Sequence, residues 1–193
     1  MRHPIERLVS AFFYCPTDHD LQNRPRKWCG ESVTPALAAE HLLDFARNEW
    51  RNQAFRQMSF GMYCPPSVFC EESPVGPYNS LEEPGSMDLL KYVQDVLNTY
   101  TAVGIMDYWD LSMDLFNARV KTSVKDWRTA TEDVGVVNRG LTSGIRYEVL
   151  EWALADREIQ RTLEADMLLY RHAVGLFKNQ TATSLGITWE QQG

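Results

Sequence analysis

The chain begins Met1-Arg2-His3-Pro4-Ile5-Glu6-Arg7-Leu8-Val9-Ser10-Ala11-Phe12-Phe13-Tyr14, a stretch that joins the end of a predicted strand to a predicted helix. Apolar residues recur after Pro4 at the spacing of one helix face, and proline suits the first helical position because its φ is already helical. We therefore expect a helix from Pro4 to Tyr14. If Met1-Arg2 ends a strand that feeds into this helix, the body of that strand lies outside the sequence.

Arg2 and Ser10 are the candidate anion-binding residues of this stretch. Arg2 precedes a helix N-terminus, which offers free N–H groups and partial positive charge, and a guanidinium matches the geometry of phosphate oxygens. Ser10 adds a hydroxyl donor if its face of the helix turns toward the same ligand. The same residues also fit an ordinary capped helix without a ligand, because arginine before a helix and serine within one are common.

The rest of the chain combines several predicted helices with one predicted strand. Thr34 predicts the start of a helix that runs to about Met58, and Asp156 predicts the start of the long final helix. The apolar run Tyr100 to Met106 indicates a buried strand. This order predicts an α/β domain, whose parallel sheet is incomplete because strand candidates are few. Three further predicted helices run from Ser86 through Leu97, from Tyr108 to about Val120, and from Ile145 to a break at Asp156.

The composition is typical of a globular domain and argues against some partners. The 193 residues are 44% apolar and 23% charged, which suffices for one domain with a sizeable core. The net charge of −7 argues against a general nucleic-acid-binding protein, because affinity for a phosphate backbone needs an excess of clustered cations. No stretch approaches the roughly 20 apolar residues that span a bilayer, and the first residues lack a secretory signal.

The four cysteines, Cys15, Cys29, Cys64 and Cys70, indicate either two disulfides or buried free thiols. None forms a C-x-x-C pair, which argues against zinc and thioredoxin-type sites. Cys64 and Cys70 bracket turn-forming residues, which suits a short covalent loop. Asn179-Gln180-Thr181 is an N-glycosylation acceptor sequence, and together with the even cysteine count it favours an oxidising compartment.

Several stretches, in order, resemble one family of transferases. The first fourteen residues match the sulfotransferase motif Arg-x-Pro-x-x-Arg-x-x-Ser-x-Phe/Tyr-Phe/Tyr-Tyr at every marked position. Tyr63-Cys64-Pro65-Pro66-Ser67-Val68-Phe69-Cys70 is similar to the Cys-x5-Cys loop of the heparan sulfate and uronyl 2-O-sulfotransferase branch. Leu90 to Ile105 resembles the helix and following strand of that branch, and Glu164 to Phe177 resembles its closing helix.

This resemblance implies a P-loop-type α/β sulfotransferase fold, of which the chain is the helix-rich C-terminal part. By their positions in the motif, Arg2 and Ser10 would bind the 3′-phosphate of the donor, 3′-phosphoadenosine 5′-phosphosulfate; Arg7 also matches. Asn138 and Arg139 fall in the loop that closes over the nucleotide in the family, where Arg139 would meet a phosphate or, alternatively, remain a solvated loop residue.

The resemblance also implies the other partners and the compartment. The acceptor would be a glycan or polysaccharide hydroxyl, no metal is implied, and a homo-oligomer is compatible with the family. The implied location is the Golgi lumen or membrane, with the protein carrying glycans and disulfide bonds.

The family places its donor-binding loop and its catalytic His or Glu before the Arg-Ser motif, where this sequence has only Met1. We therefore expect residues 1–180 to form a single sulfotransferase-like domain lacking its donor-loop portion, followed by a loose tail over 181–193. No catalytic residue is assigned, since no histidine falls where the family's base would. Two functions remain open: a sulfotransferase, or a truncated non-catalytic remnant or interaction domain of the same fold. A nucleotide kinase is disfavoured, because G-x-x-x-x-G-K-[ST] is missing.

Overall fold

The described part of the chain is built from helices. The computed structural model describes residues 1–13, 34–60, 81–82, 85–121, 126–127, 129 and 144–189. Helix accounts for 79% of these residues, and they contain no β-strand, so the predicted α/β fold with a parallel sheet is wrong for them. The α-helices, numbered in chain order, are α1 (Pro4–Phe12), α2 (Pro35–Phe45), α3 (Gln53–Phe60), α4 (Ser86–Asn98), α5 (Trp109–Arg119), α6 (Gly144–Ala155), α7 (Arg157–Thr162) and α8 (Glu164–Leu185).

The segment predicted as a strand, Tyr100 to Met106, does not enter a sheet. The amide of Val103 donates a hydrogen bond to Oε1 of Gln180 at 2.8 Å. The amide of Ile105 donates to Oγ of Ser112 at 2.9 Å. Side chains of α5 and α8 thus satisfy backbone groups that a neighbouring strand would otherwise pair, which is the physical reason that the apolar run is not a strand.

The N-terminal residue pairs with this same segment. The amine of Met1 donates a hydrogen bond to the carbonyl of Gly104, and the amide of Met106 donates to the carbonyl of Met1 at 2.7 Å. These two hydrogen bonds follow the pattern of a pair of parallel strands, but among the described residues only Met1 pairs with the segment in this way. Its consequence is that the start of α1 is held against the segment between α4 and α5.

The predicted helix starts are confirmed. The first helix begins at Pro4, and Oγ1 of Thr34 caps α2 by accepting a hydrogen bond from the amide of Leu37 at 3.3 Å. A carboxylate oxygen of Asp156 caps α7 by accepting from the amide of Ile159 at 2.9 Å. These caps satisfy amides that have no partner inside their own helix, as the sequence pattern predicts.

Two of the predicted helices are interrupted. The helix predicted from Thr34 to Met58 consists of α2, a π-helix over Ala46–Trp50, and α3. It breaks before α3 at Asn52, whose φ of 45° lies in the left-handed region that a helix cannot accommodate. The predicted final helix is likewise broken at Leu163, between α7 and α8.

The last helix extends past the predicted end of the domain. Residues 181–185 complete α8, so the loose tail predicted from 181 onward is wrong there. The hydroxyl of Thr181 is buried and accepts a hydrogen bond from Nε1 of Trp189 at 2.9 Å. The Trp189 ring also packs against Phe177, with 5.9 Å between ring centroids. Residues 190–193 lie outside the described residues.

Helix α8 is at the centre of the core. It packs against α3, α4 and α5, and it also contacts α1 and α7. Phe177 packs with Leu115 on one side of α8, while Leu169 packs with Phe55 and Leu90 on another. A separate apolar cluster joins α1, α2 and α6. None of the helices within the described ranges is long and apolar enough to cross a membrane.

Asn52 and Asp166 cap each other's helices. The carboxylate of Asp166, a residue that is 3% exposed, accepts hydrogen bonds from the amides of Ala54 at 3.0 Å and Phe55 at 2.7 Å. In return, Oδ1 of Asn52 accepts from the amide of Ala165 at 3.1 Å. These hydrogen bonds join the start of α3 to the start of α8. Asn52, the left-handed residue that breaks the predicted helix, is therefore part of a buried junction.

Candidate anion-binding site

The two residues that the motif selects lie together, Arg2 just before α1 and Ser10 within it. Nη1 of Arg2 is 3.4 Å from Oγ of Ser10, a long hydrogen bond that spans about two helical turns. The arginine side chain therefore runs along the helix surface rather than away from it. Nε of Arg2 also lies 3.9 Å from a carboxylate oxygen of Glu6, one turn along the helix.

A small cavity opens between α1 and α6 at this point. Its volume is about 220 Å³, and its wall contains Arg2, which precedes α1, together with Glu6 and Val9 of α1. The α6 side contributes Arg146, Tyr147 and Leu150. The cavity thus brings a second arginine close to the one that the motif selects.

The charges around this cavity suit an oxyanion. Among the described residues that line it are two guanidinium groups, those of Arg2 and Arg146, and one carboxylate, that of Glu6, so this part of the wall carries a net positive charge. The Arg2 and Glu6 side chains are 34% and 38% exposed, and an ion pair this exposed is weak. A phosphate could therefore displace Glu6 from Arg2, because charge-assisted bonds to a dianion are stronger than the pair they replace.

Arg146 and Tyr147 were missed by the sequence analysis. The sequence predicts a helix from Ile145, but it gives no indication that this helix packs beside α1. The sequence does show that Arg146 and Leu150, four residues apart, share one face of this helix. That signal becomes interpretable only when the partner of the face is known.

Arg7, the third marked position of the motif, has a different environment. Its guanidinium donates hydrogen bonds to the side-chain carbonyls of Gln53 and, at 3.4 Å, Gln57. It also lies 5.6 Å from the ring centroid of Trp50, within range for a cation–π contact. Burial lowers the pKa of Arg7, and the charge of Asp166 opposes that shift. Arg7 therefore holds α1 against α3 and does not line the cavity.

Replacing Arg7 with glutamine should lower the free energy of unfolding by about 1 to 2 kcal/mol, because the fork of hydrogen bonds and the contact with Trp50 are lost. Urea denaturation measures this change. Calorimetric affinity for adenosine 3′,5′-bisphosphate should stay within about twofold of the unchanged chain. An affinity loss as large as that caused by Arg2→Ala would contradict the structural role of Arg7.

The three histidines in the described part of the chain do not line the cavity. The ring of His3 packs edge-on against Tyr170, with 5.2 Å between centroids, and Nε2 of His172 is 2.9 Å from Oδ1 of Asn98. The hydroxyl of Tyr170 donates to Asp107; burial, followed by that hydrogen bond, raises the pKa of Tyr170. His41 lies in α2, and His19 falls outside the described residues. No catalytic base is assigned among them.

Several predicted residues fall outside the part of the chain that the structure describes. Asn138 and Arg139, the loop residues that the resemblance assigns to the nucleotide, are among them, so their role stays a prediction. Also outside are all the cysteines of the predicted disulfides, Cys15, Cys29, Cys64 and Cys70. Within the described residues, no group of three or more His, Cys, Asp or Glu side chains could hold a metal ion.

Comparison with known proteins gives no relative. No protein-family model matches the chain, no curated protein matches it, and no solved structure matches it.

Proposed function

We propose that the chain binds the 3′-phosphate of 3′-phosphoadenosine 5′-phosphosulfate at Arg2 and Ser10, and that it belongs to an enzyme that sulfates a saccharide hydroxyl. The observation that carries the proposal is the contact between these two side chains, 3.4 Å apart, of which Arg2 also lines a cavity with a second arginine. The motif match over the first fourteen residues supplies the identity of the phosphate. We further propose a glycan acceptor and action in the Golgi lumen, on the same resemblance.

Sulfuryl transfer by such an enzyme consists of three bond changes. The acceptor oxygen attacks the sulfur, the bond from sulfur to the 5′-phosphate oxygen breaks, and a base takes the hydroxyl proton. In this proposal Arg2, Ser10 and Arg146 take no part in these bond changes. They hold the donor in place by its 3′-phosphate, at the end remote from the sulfur. Binding energy from that remote end fixes the position of the reacting group.

Sulfuryl transfer tests the function. The protein, expressed from its complete coding sequence, is incubated with donor labelled in its sulfuryl group and with a desulfated glycosaminoglycan, and label in the polymer is counted. We expect incorporation that depends on the chain and that falls about 100-fold in Arg2→Ala, because the donor is no longer anchored. Incorporation no greater than in a blank without protein would contradict the enzymatic function.

A second candidate is a non-catalytic interaction domain. The observation that favours it is that Arg2 contacts Glu6 and Ser10 of the helix directly after it, which is also what a purely structural arginine would show. In that case Arg2 stabilises α1 and binds no nucleotide. The transfer assay separates the candidates, because an interaction domain incorporates no label.

A further inference from the structure

A second cavity, which shares no described lining residue with the first, lies next to the junction of α3, α7 and α8. Its volume is about 440 Å³, within the range of small-molecule sites. Leu81 is the only large apolar side chain that the described part of its wall contains. The charged side chains of that wall are Arg47, Arg51, Arg161, Glu82, Glu158 and Glu164.

Two ion pairs hold the outer rim of this cavity. Arg47 pairs with Glu158, and Arg161 lies 3.0 Å from Glu82. The side chains of the second pair are each 76% exposed. Exposed pairs of this kind add little to stability, so their arginines remain able to exchange a carboxylate of the protein for the anion of a ligand.

Arg51 differs from the rim arginines. Its Nε is buried, and among the described residues it has no hydrogen-bond partner. A buried donor without a partner costs free energy, so native proteins rarely keep one without a reason. Since Nε is closed to solvent, a ligand in the cavity reaches it only when the Arg51 side chain turns toward the cavity that it lines, and an oxyanion is the partner that its guanidinium fits best.

The backbone on both sides of Arg51 is irregular. The π-helix Ala46–Trp50 ends directly before it, and Asn52 directly after it has a φ of 45°. Single π-helical turns are frequent at functional sites, and left-handed residues other than glycine cluster at ligand sites. Asn52 also lines the cavity. The end of the π-helix and one unpartnered donor therefore coincide at the same wall, next to the residue that caps α8.

We propose that this cavity binds a small molecule that carries an oxyanion group and several hydroxyl groups. The oxyanion contacts Arg51, and the carboxylates of the rim accept hydrogen bonds from the hydroxyls, since ionised carboxylates are acceptors only. A scarcely apolar wall of mixed charge suits such a ligand better than it suits a lipid or an aromatic compound. The site is independent of the cavity at Arg2 and of the function proposed for it.

Calorimetric titration of the chain with four probes tests the proposal. Glucuronate offers a carboxylate with hydroxyls, glucose 6-phosphate offers a phosphate with hydroxyls, and sulfate and glucose offer each feature alone. We expect one of the first two to bind at least about tenfold more tightly than sulfate or glucose, and the tighter one identifies the oxyanion. If sulfate binds as tightly as glucuronate and glucose 6-phosphate, the proposed role of the rim carboxylates is wrong.

Matched variants locate the binding. Arg51→Gln should weaken the preferred probe at least about tenfold, and Arg161→Gln, at an exposed position that is safe for folding, about threefold. Arg171→Gln makes the same charge change on an exposed part of α8 outside the cavity and should have no effect. Unchanged affinity in both Arg51→Gln and Arg161→Gln would overturn the site.

Discussion

Replacing Asp166 with alanine should lower the free energy of unfolding at pH 7 by about 3 kcal/mol, the largest stability loss that we expect from a single polar substitution. The change leaves the amides of Ala54 and Phe55 buried without their acceptor, at 3.0 and 2.7 Å in the intact protein. It also removes the negative charge that lies near Arg7 and Arg56. Urea denaturation followed by circular dichroism measures the loss.

Asp156→Ala is the matched control for this substitution. Asp156 also accepts hydrogen bonds from two helix amides, those of Glu158 and Ile159 at 2.9 Å, but it caps a surface helix. Loss of an exposed cap costs about 1 kcal/mol. Equal losses in the two variants would show that Asp166 is an ordinary cap and not the centre of a buried junction.

The pH dependence of stability gives a second measure of Asp166. Burial raises its pKa above the ordinary value of 3.8, against the opposing effect of the amide hydrogen bonds and of Arg7. The folded chain then holds the Asp166 proton more tightly than the unfolded chain does. The stability that this proton contributes is fully present below the ordinary pKa and is lost as pH rises through the pKa of the folded state. Relative to Asp166→Asn, the unfolding free energy should fall by up to about 1.4 kcal/mol per pH unit in that window. Parallel pH profiles would contradict the raised pKa.

Replacing Arg2 with alanine should weaken the binding of adenosine 3′,5′-bisphosphate about 100-fold while leaving the fold intact, since the side chain is 34% exposed. Loss of the guanidinium removes a charge-assisted contact to a dianion. Arg146→Ala should act in the same direction but less strongly, because it lies on the opposite wall. Calorimetry gives both affinities, and thermal unfolding verifies the fold of each variant.

Glu6→Gln is the control variant, in which nucleotide binding should become tighter instead of weaker. If Glu6 competes with a phosphate for Arg2, removing its charge should tighten nucleotide binding by about threefold. If Arg2 is only a structural partner of Glu6, at 3.9 Å, the same change lowers stability and leaves no binding to tighten. The direction of the change therefore separates a phosphate site from an ordinary surface pair.

Local signals in the sequence predict the helices well. Proline at the start of α1, Thr34 before α2 and Asp156 before α7 act through neighbours a few residues away, so their effect is readable without the fold. The break at Asn52 is not readable in this way. Its left-handed backbone depends on a hydrogen bond to the amide of Ala165, more than one hundred residues along the chain.

The α/β prediction failed for a related reason. An apolar run such as Tyr100 to Met106 has the same appearance whether its backbone pairs with a strand or with side chains. Gln180 and Ser112 supply those side chains here, at 2.8 and 2.9 Å from the amides they bind. Likewise, Arg2 and Ser10 were selected from a motif within one helix, whereas Arg146 joins them only through the packing of α6 on α1.

The most direct test of the nucleotide site compares two ligands that differ only in the 3′-phosphate. Adenosine 3′,5′-bisphosphate and adenosine 5′-monophosphate are titrated into the unchanged chain and into Arg2→Ala. We expect the unchanged chain to prefer the bisphosphate by about 100-fold and the variant to prefer it by less than about threefold, a coupling that only contact with the 3′-phosphate produces. Equal affinities for the two ligands in the unchanged chain, or a preference that survives in Arg2→Ala, would contradict the assignment of Arg2 to that phosphate.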